Sequence, residues 1–208
     1  MAGESILIAD DHPLFRQALS LAATRVRPAA RIIEAGTLDT ASRAAEANAD
    51  IALILLDLNM PGATGYSGVA LLHAERPGVP ILVVSSAEAS TAAAEARRFG
   101  AVGFVSKESE LGTIEKAIAN ALAGETIAAP ASGELDDVAA RVAALTPTQL
   151  RVLLGVLDGR LNKQIAFDLG ITEATVKAHM TVILRKLDVG NRTQAALAAR
   201  ALGIGIKH

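Results

Sequence analysis

The chain reads as a doubly wound α/β unit with a five-stranded parallel sheet, followed by a small all-α unit containing a helix-turn-helix. Three observations predict this. Over the first ~120 residues, five apolar runs of strand length alternate with five alanine-rich segments at helical spacing. The runs are apolar on both faces, as buried parallel strands are, rather than alternating in the manner of a half-exposed sheet. After a Gly/Pro/Ser-rich stretch the strand pattern stops and the charge changes sign. Residues 1–127 hold 10 Lys/Arg against 15 Asp/Glu, whereas residues 144–208 hold 9 against 4. An acidic first part and a basic last part point to a polyanion partner for the last part only.

The strands are expected at "SILIAD" (5–10), "RIIEA" (31–35), "IALILLD" (51–57), "PILVVSS" (80–86) and "VGFVSK" (102–107). Helices are expected at 14–26, 39–48, 66–76, 90–99 and 109–123, placed on both sheet faces by right-handed crossovers. "AGETIAAPASGEL" (123–135) reads as a linker. In "ELDDVAARVAAL", apolar residues at 135, 138, 139, 142 and 145 have the period of an amphipathic helix, either a spacer or the entry to the next unit. "TPTQ" (146–149) is a compact helix start, with Thr146 as N-cap, Pro147 at the first helical position and Gln149 completing a capping box. Gly159 ends that helix. "NKQIAFDLG" is a short helix closed by Gly170, and Thr172 caps the longer "ITEATVKAHMTVILRKL", making a helix-turn-helix. "RTQAALAARALG" (192–203) is the last helix, with Ala195, Ala196, Ala199 and Leu202 as either core or dimer seam. The expected units are 1–124, a linker over 125–143, and 144–208.

Composition excludes several classes. There are no cysteines, so thiol catalysis, disulfides and Cys-based zinc sites are ruled out. His12, His73, His179 and His208 are scattered, and no chemistry is assigned to His12. The N-terminus lacks the pattern of a signal peptide and no apolar run reaches transmembrane length, so a cytoplasmic protein with no membrane partner is expected.

In doubly wound folds, sites lie beyond the carboxyl ends of the strands. Asp10 and Asp11 close the first strand, Asp57 the third and Ser85 and Ser86 the fourth, and Lys107 follows the fifth. Three converging carboxylates repel one another unless a cation sits among them, and oxygen-only ligands at an accessible mouth favour Mg²⁺. Lys107 supplies a positive partner for a phosphate. Carboxylate, hard cation, lysine and hydroxyl together suit phosphoryl transfer to Asp57.

On these residues, positions 1 to about 124 resemble the receiver domain (flavodoxin-like) of two-component response regulators. Residues 144–208, with "NKQIA" and "TVKAHMTVILRKL", resemble the LuxR-type helix-turn-helix of the NarL/FixJ subfamily. The resemblance implies a phosphorylation-gated DNA-binding transcription regulator that takes a phosphoryl group on Asp57 from a sensor histidine kinase. It also implies that Asp10, Asp11 and Asp57 hold Mg²⁺ with the main-chain carbonyl of Asn59, that Ser85 is the switch hydroxyl, that Phe104 is the switch aromatic, and that Lys107 contacts the phosphoryl group. Ser85 lies five residues after Pro80 and 22 before Lys107, the family's spacing. Lys107-Glu108 replaces the usual Lys-Pro, and Gln149-Leu150 stands where Glu-Arg is commoner. Such a receiver is not an enzyme toward other molecules; it catalyses only its own phosphorylation and dephosphorylation.

On the helix from 173 to 187, Val176, Met180, Ile183, Leu184 and Leu187 share the face expected to be buried. Lys177, Ala178, Thr181 and Arg185 share the opposite face, which suits the major groove. Lys163, Thr175, Arg185 and Arg192 are candidates for phosphate contacts. One small domain with few base contacts binds weakly, so a homodimer on a two-fold site is expected. Two other readings compete. A phosphohydrolase of the haloacid dehalogenase type wants an acid two residues after Asp57, where Asn59 stands. A receiver that serves only as an interaction module has no need for the intact acidic set.

Overall fold

A computed structural model describes residues 4–86, 89–124 and 134–205. Strands β1 (Ser5–Ala9), β2 (Arg31–Ala35), β3 (Ile51–Leu56), β4 (Ile81–Ser85) and β5 (Ala101–Ser106) alternate with helices α1 (Pro13–Val26), α2 (Leu38–Ala47), α3 (Ser67–Glu75), α4 (Ala89–Arg98) and α5 (Leu111–Leu122). All pairings are parallel, in the order β2-β1-β3-β4-β5. Chain order reverses between β1 and β3, so the crevice of this sheet opens where those two strands end.

The apolar runs bury both faces of the sheet. Ile6, Ile8, Leu53 and Leu55 pack with Leu19 of α1 and Ile114 and Ile118 of α5, while Leu7, Ile54 and Leu56 pack with Leu38, Val69, Leu72 and Phe99 on the other side. β1 and β4 are wholly buried, whereas edge strand β2 is partly exposed, and this explains its mixed sequence "RIIEA".

The second unit comprises α6 (Glu134–Ala143), α7 (Pro147–Leu157), α8 (Asn162–Leu169), α9 (Glu173–Leu187) and α10 (Arg192–Ala201). Residues 134–143 of the expected linker are thus helical, with Ala139 and Val142 buried; the earlier part of that linker lies outside the described residues. The capping box at the start of α7 forms as its sequence predicts: Gln149 N–H donates to Thr146 Oγ1 at 3.4 Å and Thr146 N–H to Gln149 Oε1 at 3.1 Å. Gly170 ends α8 at φ 65°, the left-handed conformation that glycine adopts without a Cβ penalty. Gly155 serves closeness instead, since a Cβ there would stand 2.8 Å from Ile165 and push α8 off α7.

The two units share one apolar cluster that runs from α2 and α3 into α6 to α10. Beside it Arg151 of α7 donates to Glu75 Oε1 of α3 at 2.5 Å and to Ser42 Oγ of α2 at 2.9 Å, and Ser42 Oγ donates to the same Glu75 oxygen at 2.9 Å. Further along, Gly65 and Ile204 form an antiparallel bridge, and Gly205 N–H donates to Thr64 O at 3.3 Å. Ala195, Ala199 and Leu202 are buried in the chain's own core, which decides core over seam for three of the four candidate positions on the last helix.

Candidate functional site

The sheet ladder itself places the acidic residues. Asp57 N–H donates to Ala9 O at 2.8 Å and Asp10 N–H to Ala35 O at 3.0 Å, so each aspartate extends a ladder by one residue and emerges at the mouth. Lys107 N–H donates to Ser85 O at 3.1 Å, which does the same for the lysine at the end of β5. Burial on both sheet faces fixes this backbone, and the charged side chains are consequently held within reach of one another.

Lys107 Nζ lies 2.6 Å from Asp10 Oδ2 and donates to Asp57 Oδ2 at 2.7 Å. The two carboxylates are 0% and 1% exposed and share this one ammonium. The lysine also sits 4.8 Å from the centre of the Phe15 ring, a cation–π contact that steadies its stem. Asp57 Oδ1 accepts the N–H of Asn59 at 3.2 Å, and Asp10 Oδ1 accepts that of His12 at 2.8 Å. Ser85 is buried on β4, and Phe104 of β5 is partly buried against the core cluster.

Asp10 Oδ2 and Asp11 Oδ1 are buried oxygens without an aligned hydrogen bond. One ligand atom from each of Asp10, Asp11, His12 and Asp57 lies within 4.8 Å of the others. Carboxylate oxygens that converge at a mouth, with more negative charge than the one Lys107 ammonium balances, fit a hard divalent cation such as Mg²⁺. Sequence reasoning collected Asp10, Asp11 and Asp57 and left His12 aside; the "DDH" adjacency was the available signal.

The expected DNA face is exposed. Lys177, Ala178, Thr181 and Arg185 point outward on α9, while Val176, Met180, Ile183 and Leu187 are buried against the helices beneath. Lys177 pairs with Glu173 at 3.1 Å, and the Thr181 hydroxyl donates to Lys177 O at 3.1 Å. Thr175 belongs to the cap, its N–H donating to Thr172 Oγ1 at 3.1 Å. Lys163 is exposed at the start of α8. Arg192 is engaged within the chain, donating to Asn162 Oδ1 at 2.8 Å and to Arg160 O, so it clamps α10 to the turn before α8. Gln149, one of the departures from the usual pattern, is buried and accepts from Lys186 Nζ at 3.0 Å; Leu150 beside it is core.

Away from both sites, Tyr66 precedes α3 and stacks on Phe99 with ring centres 6.0 Å apart. Gly203 approaches so closely that a Cβ there would stand 3.2 Å from the Tyr66 ring. Burial pushes the Tyr66 phenol above its ordinary range, with the charge of Glu95 adding to the effect. Neither this contact nor the Ser42–Glu75–Arg151 set was visible in sequence.

Comparison with known proteins agrees with the geometry. Residues 6–119 match the response regulator receiver domain, and residues 143–199 match the bacterial regulatory proteins of the luxR family. The glycerol metabolism activator of Pseudomonas putida is 41% identical over 207 residues, covering 93% of this chain and 94% of that protein. The nitrate/nitrite response regulator protein NarL of Escherichia coli (strain K12) is 32% identical over 202 residues, covering 93% of each. Among solved structures, a two-component response regulator of the LuxR family from Aurantimonas sp. SI85-9A1 aligns with a TM-score of 0.54 at 27% identity, over 60% of this chain and 89% of that one.

Proposed function

The chain belongs to the NarL/FixJ subfamily of response regulators, a receiver joined to a LuxR-type DNA-binding domain, and from that premise we propose that Asp57 accepts the phosphoryl group that gates its binding to DNA. The observation that carries this is the convergence of Asp10, Asp57 and Lys107 at the ends of β1, β3 and β5. An Asp57 carboxylate oxygen attacks phosphorus in line as the bond to the imidazole nitrogen of a kinase phosphohistidine breaks. Asp10, Asp11, Asp57 and the Asn59 carbonyl are the groups that hold Mg²⁺, which when bound balances the pocket's charge and polarises the phosphoryl oxygens. Lys107 Nζ, relieved of neutralising two carboxylates, turns to an equatorial phosphoryl oxygen. The product adds up to two negative charges and strong acceptors beside the buried Ser85 hydroxyl, with Phe104 on the neighbouring strand as the partner that responds. The chain's catalysis is confined to its own phosphorylation and dephosphorylation.

The route to the helical domain is short. The segment after Asp57 leads to Thr64 and Gly65, which hold Gly205 and Ile204, and Pro61 O accepts the N–H of Leu38 at the start of α2. A change at Asp57 therefore bears on the surface that α7 and the residues after α10 rest on. In DNA binding, Lys177, Ala178 and Thr181 face bases, and Lys163, Thr175 and Arg185 face phosphates as a homodimer on a two-fold site. Arg192 supports that surface by fixing the α7–α8 turn. Among the described residues no helix is long and apolar enough to cross a membrane; a cytoplasmic location is the reading that a kinase and DNA as partners support.

Incubation with acetyl phosphate and Mg²⁺ followed by intact mass measurement tests the acceptor. The expected result is a gain of one phosphoryl group that Asp57→Ala abolishes. An equal gain in both proteins refutes the assignment.

A further inference from the structure

We infer that a cleft at the N-terminal ends of β3, β4 and β5 binds a small neutral carbonyl compound, a ketone or ester with an apolar body, whose oxygen accepts a hydrogen bond from His73 Nε2. The cleft lies at the opposite end of the sheet from Asp57 and is independent of the phosphoacceptor reading. Its volume is about 340 Å³. Ala52 and Val102, the second residues of β3 and β5, form its walls with Val79 and Pro80 just before β4 and Leu122 at the end of α5. Among the described residues no Asp, Glu, Lys or Arg lines it, and His73 of α3 is its one polar side chain. Apolar walls around a single placed polar group are the usual make-up of a small-molecule site.

The imidazole is held but not satisfied. A Cβ at Gly100 would stand 2.6 Å from His73 Nδ1 and 2.9 Å from its Cε1, so that edge of the ring rests on the Gly100 main chain, itself part of the cleft wall. Nδ1 is closed to water there and has no hydrogen-bond partner. An orphaned buried N–H is rarer in proteins than an orphaned acceptor, so Nδ1 carries the lone pair and Nε2 the proton. Nε2 is not closed off in the same way, and among the described residues it has no partner either. His73 therefore offers one donor, on a ring fixed in place before any ligand arrives.

A lone donor calls for an acceptor on the ligand. A carboxylate has one, but no cationic side chain lines the cleft to offset the loss of its hydration. A neutral carbonyl oxygen takes the same hydrogen bond at a far smaller desolvation cost, and the apolar walls take the rest of the molecule. Since an apolar cavity of about 150 Å³ holds benzene, proportion gives this one room for roughly a dozen non-hydrogen atoms.

The test titrates the whole protein by NMR with three probes: acetophenone, ethylbenzene, which lacks the oxygen, and benzoate, which carries a charge. Acetophenone should bind saturably, shift the amides of Gly78 and Gly100 but not those of Asp57 and Asn59, and show its carbon-13-labelled carbonyl moved downfield. It should bind about fivefold more tightly than ethylbenzene, as one neutral hydrogen bond allows, with benzoate the weakest. His73→Phe, which keeps a ring against Gly100, should bring the two neutral probes to equal affinity and remove the carbonyl shift. Ala52→Phe, which fills the cleft, should abolish binding of both. Equal affinity of the wild-type protein for acetophenone and ethylbenzene overturns the inference without any variant. Tighter binding of benzoate, a preference for acetophenone that survives in His73→Phe, amide shifts confined to another face, or no binding up to the solubility limit of acetophenone overturns it as well. Each of these outcomes leaves the phosphoacceptor reading of Asp57 standing.

Discussion

Replacing Lys107 by methionine keeps most of the stem over Phe15 and removes only the ammonium. In the wild type that ammonium lies 2.6–2.7 Å from two carboxylates that are 0% and 1% exposed. Without it, two buried carboxylates face each other with no cation between them. Removing one partner from a buried ion pair costs about 3–5 kcal/mol, because the charge left behind is stranded in low dielectric. For a chain of this length that is a fall of roughly 6–20 °C in Tm. Calorimetric unfolding in EDTA and in saturating Mg²⁺ measures it. The deficit should be largest in EDTA and shrink with Mg²⁺, since a ligand at a hundred times its Kd restores about 2.7 kcal/mol and binds more tightly where no ammonium repels it. Asp57→Asn should act in the opposite direction in EDTA, leaving one lysine opposite one aspartate and a protein at least as stable as wild type. A Lys107→Met deficit below about 1 kcal/mol, or one that Mg²⁺ leaves unaltered, would refute the claim that this ammonium holds the empty pocket together.

Three further outcomes are expected. Tyr66 is the one tyrosine in a chain without tryptophan, so tyrosinate absorbance reads it alone; its midpoint should lie above 10.0, and its contribution to stability, complete below that pH, should fade as pH rises through the folded value and be absent in Tyr66→Phe. Arg151→Ala leaves Glu75, 6% exposed, without its cation, which should loosen the two domains by about 3 kcal/mol and raise the radius of gyration seen by small-angle scattering, whereas Glu75→Gln, which keeps an acceptor for the arginine, should do so far less. On DNA, Lys163→Ala should weaken all sequences alike and lower the salt slope by about one, while Lys177→Ala should relax base preference; equal effects of both on every sequence would contradict that division.

Local patterning determined much of this protein. Apolar runs on both faces announced buried parallel strands, the Thr146–Gln149 and Gly170 signals set helix ends that the backbone then adopted, and strand-end aspartates at Asp10 and Asp57 marked the mouth of the sheet. These were legible because each depends on residues within one turn or one strand of each other. Tertiary structure alone decided that one ammonium is shared by two carboxylates, that Arg192 braces the α7–α8 turn, and that Ser42, Glu75 and Arg151 close a contact across 33 to 109 residues of chain. The periodicity of a helix says which face is buried but not against which neighbour. A charge in the sequence shows its sign, whereas its partner is chosen by the way distant backbones pack.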